Sequence, residues 1–270
     1  MFMRVFLTRR AMLVGLGAFL LVGLPAAVLH SARAANTAKP AISADASAAL
    51  KQMGQALAAH AFSFQARTLR VYAAEDGRFL HIGHVFKVLV QRPDKMRVDV
   101  DGDDGAKQVF YDGKTMVLFD PGKKAYLKLP VPDTIEAALK DVSAKLGFDF
   151  PLADFLTSAP HDALLEGVKD AKVVDEVTIE GKPTLHLTLF QPPGVEQELW
   201  LTKAEGLPER VFITFRAVEG QPTFVATFAD WNFSVAPTDA DFVFQPPQGV
   251  AEVPFKPMAP APANAKASGK

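Results

Sequence analysis

Apolar residues recur along this chain with two different periods. In DASAALKQMGQALAAHA, residues 45–61, Ala46, Leu50, Met53, Leu57 and Ala61 return at helical spacing. Ser43 stands where an N-cap would, and Asp45 falls in the first turn. One amphipathic helix is predicted. From Phe62 the period drops to two. FSFQARTLRVYA and RFLHIGHVFKVLVQ flank the turn signal EDG. KMRVDVD alternates Met96, Val98 and Val100 with Arg97, Asp99 and Asp101. GDDG leads into AKQVFY, the pair Asp112-Gly113 suits a type I′ turn, and DPGKK closes the next hairpin.

Pro130 and Pro132 end this first strand series. Between Asp133 and Gly167 the pattern is helical again, in DTIEAALKDVSAKLG, FPLADFLTS and HDALLEG. A second strand series follows: AKVVDEVTIEG, PTLHLTLFQ, VEQELWLT, PERVFITFRAV and PTFVATFADWNFSV. DADFVFQPPQGV is predicted as a short last strand with a proline stop. The order is one helix, six strands, a helical insert and five strands, with connections short enough for antiparallel hairpins. Strands this long and apolar must curl, with the helices on the concave side. The expected fold is α+β: a strongly curved antiparallel sheet of about eleven strands, which the family resemblance described below makes an incomplete barrel.

Composition sharpens this. The chain has 21 Phe against 3 Tyr and 2 Trp. Phe lacks a polar handle, which suits a Phe-rich core or an apolar cavity wall. Cysteine is absent, which excludes disulfides, thiol catalysis, metal–thiolate sites and an acylated cysteine. The N-terminus reads as a secretory signal. Arg4, Arg9 and Arg10 precede an apolar run from Ala11 to Leu29, and Ala32-Arg33-Ala34 is a small-x-small cleavage site. The apolar run is also about long enough for a retained anchor. TRRAML resembles a twin-arginine motif without its further basic residue, so the general secretory route is favoured. Expected boundaries are a signal peptide at 1–34, a linker at 35–42, the domain at 43–254 with its helical insert at 133–167, and a disordered Pro/Ala/Lys-rich tail at 255–270. Removing 1–34 leaves 25 Lys and Arg against 30 Asp and Glu, a net charge of −5. That balance argues against nucleic-acid binding.

Candidate chemistry is sparse. His81 and His84 are three apart on a strand and point to opposite faces. The carboxylates of DGDDG, Asp101 to Gly105, lack calcium-loop spacing and suit a hairpin turn. No GxSxG, HExxH or glycine-rich phosphate loop occurs. Asp230 beside Trp231 is a lone carboxylate without a partner acid. No enzyme, cofactor or metal is expected.

Three stretches together resemble the LolA/LolB-like periplasmic lipoprotein-carrier superfamily. VLVQRPDKMRVDV is similar to its strand–Arg-Pro–strand element, YDGKTMVLFDP to the segment that follows, and TDADFVFQPPQGV to its last strand. Within the superfamily the chain looks most like a group of predicted periplasmic proteins of unknown function. The resemblance implies a half-barrel closed by helices around an apolar cavity for acyl chains. It implies that Arg92 ties the lid helices down, and it places Met96 where the carriers use a Phe in cargo handling. Arg92, Met96, Val98, Phe110, Val117, Phe119, Leu139, Phe155, Trp200 and Phe228 are the candidate cavity and lid residues. The expected partners are lipid or an acylated protein, with an envelope membrane protein as a further candidate, and the chain is expected to be a periplasmic monomer. The same fold also serves as a sensor or protein-docking module, so that alternative stays open.

Overall fold

The computed structural model describes residues 42–74, 76–147 and 150–255. The expected signal peptide, almost all of the linker and nearly all of the tail lie outside the described residues.

Helix α1 spans Ala44–Ala56, and its N-cap Ser43 accepts from the Ala46 N–H at 3.2 Å. Strands β1 (Ala61–Ala73), β2 (Phe79–Gln91), β3 (Lys95–Gly102), β4 (Lys107–Tyr111), β5 (Thr115–Asp120) and β6 (Ala125–Pro130) follow. Then come α2 (Ile135–Leu146), α3 (Ala153–Leu156) and α4 (Pro160–Leu165). Strands β7 (Asp170–Ile179), β8 (Lys182–Gln191), β9 (Val195–Thr202), β10 (Pro208–Phe215) and β11 (Thr223–Asn232) complete the second series.

With a two-residue strand β12 (Ala251–Glu252), one twelve-stranded sheet results, in the order β12-β6-β5-β4-β3-β2-β1-β11-β10-β9-β8-β7. Every ladder but one is antiparallel, and β7 and β12 stand at its two ends, so the curved sheet does not close. The two strand series join through β1 and β11, paired from Ser63–Asn232 to Val71–Thr223. A bulge between Ser63 and Gln65 shifts this register. It places Asp230 at φ +56°, where the carboxylate accepts from Gln65 Nε2 at 2.6 Å. Asp230 is thus an exposed strand-end residue.

Two local expectations fail. The segment 239–250 is not a strand. Asp239–Phe242 form a 3-10 turn whose Asp241 accepts from the Thr238 N–H and hydroxyl, at 2.7 and 2.9 Å. The strand is β12, Ala251–Glu252, which joins β6 in parallel after Pro246 and Pro247. The turn at Asp112-Gly113 is not type I′, which needs positive φ at both residues. Only Gly113 has one, at +93°. Asp112 instead accepts from the Lys114 and Thr115 N–H groups at 2.9 and 2.8 Å, the self-capping that Asp favours in turns.

The sheet has two distinct faces. Paired residues share a face, so Phe62, Val90, Met96, Tyr111, Met116 and Leu129 form one row across β1 to β6. This concave row is at most 2% exposed, and α1, α2 and α3 pack onto it in the main core. Gly54 inside α1 serves the same packing. A Cβ there would lie 2.6 Å from His161 Cβ on α4. That close approach explains a residue otherwise unfavourable in a helix interior.

Candidate functional site

Arg92 follows β2, in the turn into β3, and is 6% exposed. Its guanidinium donates to five main-chain carbonyls at or just beyond the ends of two helices. Two acceptors follow α1: Ala59 O at 2.7 Å, and Leu57 O. Three belong to the end of α3: Phe155 O at 3.1 Å, Leu156 O at 3.3 Å and Thr157 O at 2.5 Å. Its carbon lies 4.8 Å from the centre of the Phe62 ring. The planar fork suits this task, because five N–H donors radiate in fixed directions. Helix ends leave carbonyls without intrahelical partners, and Arg92 satisfies those of two helices at once. Burial lowers its pKa to about 10, with Glu136 acting in the opposite sense. It therefore stays charged at neutral pH.

Around this hub the concave interior is apolar and filled. Met96 and Val98 lie on it from β3, and Phe228 from β11. Phe228 meets Phe64 at 5.7 Å and Phe155 edge-on at 5.4 Å. Leu139 of α2 and Phe155 of α3 enter the same core, 3% and 2% exposed. Trp231 lies 4.5 Å from Phe64 and donates to Pro208 O at 3.1 Å. In this conformation the concave face holds helix side chains.

Four candidates stand elsewhere. Phe110, Val117 and Phe119 alternate with the concave row and so occupy the convex face. There Phe244 covers them, with ring centres 5.4 Å from Phe110 and 5.0 Å from both Phe119 and Tyr126. Phe244 belongs to a strap, residues 233–255, that crosses the outside of the sheet. Lys95 holds the strap through Asp239 at 2.9 Å. Trp200 is also convex, stacked on His186 at 4.3 Å, with Arg210 5.4 Å from its ring centre. Neither group can line a cavity with Met96 and Val98. The sequence missed the strap because residues 233–250 carry no period. Phe242 and Phe244, spaced by two just before Pro246-Pro247, were the available sign.

Two grooves open to solvent. One, of about 350 Å³, lies on the convex face, with Gln65, Lys87, Leu89 and Arg97 among its walls. The other, of about 790 Å³, runs between α2, α3 and α4. Its walls combine Leu139, Phe150, Leu165 and several alanines with Glu136, Asp154, Asp162, Glu166 and Lys140. Burial, and then Glu166, raises the Asp154 pKa to about 6. Among the described residues no group of acidic and histidine side chains is arranged to hold a metal ion.

The chain is similar in structure to several solved proteins. MucB matches at 19% identity and a TM-score of 0.42, over 76% of this chain and 65% of MucB, so the chain spans less than two-thirds of that protein. The lipoprotein LppX of Mycobacterium tuberculosis matches at 18% identity and 0.43, over 71% of this chain and 97% of LppX. The LolA superfamily protein NE2245 of Nitrosomonas europaea matches at 11% identity and 0.34, over 74% of this chain and 97% of that one. At these identities the likeness is one of fold alone. No curated protein matches the chain. The family described as "Predicted periplasmic protein (DUF2092)" matches residues 46–256, most of the sequence, and the chain belongs to that family.

Proposed function

We propose that this protein is a periplasmic carrier that holds acyl chains, of lipid or of an acylated protein, against its concave face. The supporting observation is Arg92. One buried side chain holds the ends of two helices over an apolar sheet through bonds to main-chain carbonyls alone. Such a cover can be released at one point. Cargo enters as the helices lift and Arg92 gives up its acceptors; empty protein closes as the bonds re-form. The energies allow reversibility. Burying a sixteen-carbon chain contributes on the order of 10 kcal/mol. Each charge-assisted bond contributes about 1.5–3 kcal/mol, so five are of the same order. No catalytic group is needed for this task.

Mass spectrometry of organic extracts from purified protein tests the reading, together with titration by a fluorescent fatty acid. Co-purifying lipid and saturable binding are expected. Lipid-free protein that also fails to bind the probe overturns the carrier reading. The groove between α2, α3 and α4 favours a second reading, a docking module for a basic protein segment, since Glu136, Asp154 and Glu166 have no cationic hydrogen-bond partner among the described residues. Lipid-free protein that captures such a segment would support it.

A further inference from the structure

The strap does not finish on the outside of the sheet. Ala251 and Glu252 pair in parallel with Ala125 and Tyr126 at the edge of β6. Glu252 is still on the convex side, where its carboxylate accepts from the Tyr126 hydroxyl at 3.0 Å. Phe255, three residues on, is half-buried and packs against the main core beneath the helices. The chain has thus rounded the sheet edge and reached the helix side. Its direction is that of β6, toward Pro130, whose carbonyl accepts from Lys145 Nζ in the last turn of α2 at 3.2 Å. The described chain therefore ends on the side where α2 lies. Residues 256–270, KPMAPAPANAKASGK, follow and lie outside the described residues. They carry Lys256, Lys266 and Lys270 and no acidic residue.

We infer that residues 256–270 dock in the groove between α2, α3 and α4, with their prolines and alanines on its floor and their lysines against its acidic rim. The inference rests on reading that groove as a site for a basic segment, and it names the segment. It holds for a carrier as well as for a docking module. Charge supports it first. The groove sets Glu136, Asp154, Asp162 and Glu166 against Lys140 alone. Among the described residues only Asp162 of these four has a side-chain hydrogen-bond partner, His161 Nδ1 at 2.7 Å. Three lysines without an acid are the matching charge. Shape supports it second. The floor is shallow and built from small groups, with Ala153 and Ala163 beside Leu139 and Leu165. Pro and Ala side chains fit such a floor, and a proline-rich strand loses little entropy on docking. Reach supports it third. Fifteen residues span about 45 Å in the polyproline form, at roughly 3.1 Å each. A segment tethered so closely has an effective concentration on the order of millimolar, so weak exposed ion pairs suffice. The docked segment keeps the groove closed to other basic segments.

Zero-length carbodiimide coupling of the full chain tests this, with the joined peptides mapped by mass spectrometry. Lys256, Lys266 or Lys270 should couple to Glu136, Asp154, Asp162 or Glu166 at least about fivefold more than to the exposed Glu205 and Glu219, and added salt should reduce the yield. Coupling spread evenly over exposed acids overturns the inference. A mixture of isotopically heavy and light chains identifies the donor. Couplings between heavy and light chains assign the groove to the tail of a second copy and overturn docking within one chain. Binding of a fluorescent peptide with the sequence of residues 256–270 gives an independent readout. It should bind the full chain carrying Lys256→Gln, Lys266→Gln and Lys270→Gln at least about tenfold more tightly than wild type, whose own tail excludes it. The same three positions changed to Arg should exclude it as wild type does. Equal binding to wild type and to the Gln variant overturns the inference. If the tail fails both tests while an added oligolysine couples to the groove acids, the inference falls and the groove remains a site for some other basic segment. If oligolysine fails too, that reading of the groove falls with it.

Discussion

Strands β4, β5 and β6 are covered on both faces, and the two covers are built differently. On the concave side, Tyr111, Met116 and Leu129 lie under helices whose ends converge on the Arg92 guanidinium. On the convex side, Phe110, Val117 and Phe119 lie under a strap held by Phe242 and Phe244 and by the bonds of Ala251 and Val253 to the Lys124 and Tyr126 carbonyls. Among the described residues, the strap makes no backbone bond to the sheet between Phe242 and Val250. Both covers lie over apolar side chains, but the fastenings differ. Polar bonds to one hub can be lost together when a ligand competes for the space. Ring contacts and strand pairing spread over some twenty residues cannot. On the carrier reading proposed above, the helices are the side that moves, and the strap is the side that stays.

The strongest way to break this comparison is to remove a ring from the fixed side. Phe242 is 1% exposed. Phe242→Ala should cost about 3–5 kcal/mol in urea unfolding, as large buried truncations do. It should leave the off-rate of a fluorescent fatty acid unchanged in the folded fraction. A changed off-rate at full folding would mean that the strap belongs to the moving side.

Arg92→Leu comes next. It orphans carbonyls at the ends of α1 and α3, and a loss of about 2–3 kcal/mol is expected. Ligand retention should rise as stability falls, with transfer to acceptor vesicles slowed about tenfold or more. Equal off-rates with an intact fold would reduce Arg92 to a structural clamp.

The two faces also show what a sequence can reveal. The period of two located the strands, and Ser43 and the proline stops marked helix and strand ends. What stayed hidden was which face meets which cover. Along QVFYDGKTMVLFD both alternating sets are apolar, so periodicity could not separate Phe110 and Phe119 from Tyr111 and Met116. Trp200 misled for a related reason. A tryptophan suits a cavity wall, yet here its ring is already taken by His186 and Arg210. Arg92 was legible only because Pro93 and the family-like strands around it drew attention to one arginine among many. Its five acceptors lie 33 to 65 residues away in sequence, beyond any local pattern.

A smaller effect concerns pH on the helix side. Asp154 titrates near 6 in the folded protein, against an ordinary value of 3.8. The folded chain thus holds this proton to higher pH than the unfolded chain does. Its stabilising contribution is present at low pH and is lost as pH rises from about 4 through about 6. A full shift of two units would be about 3 kcal/mol; partial exposure reduces this to about 1 kcal/mol. Asp154→Asn should therefore gain about 1 kcal/mol at pH 7.5 and nothing at pH 4, measured by urea unfolding. An equal gain at both values would show that the carboxylate is not the cause.

The smallest effect should come from the strap's ion pair. Lys95 Nζ lies 2.9 Å from Asp239, whose side chain is 83% exposed. Exposed pairs of this kind contribute about 0–1 kcal/mol and weaken with salt. If the rings and the strand pairing hold the strap, Lys95→Met should change stability by less than about 0.5 kcal/mol, and added salt should remove what difference there is. Hydrogen exchange at Ala251 and Val253, whose amides bond to β6, reports directly on whether the strap has lifted. Protection there should match wild type. Loss of protection on breaking this single pair would mean that the strap, like the helices, is fastened at one polar point, and the contrast between the two faces would disappear.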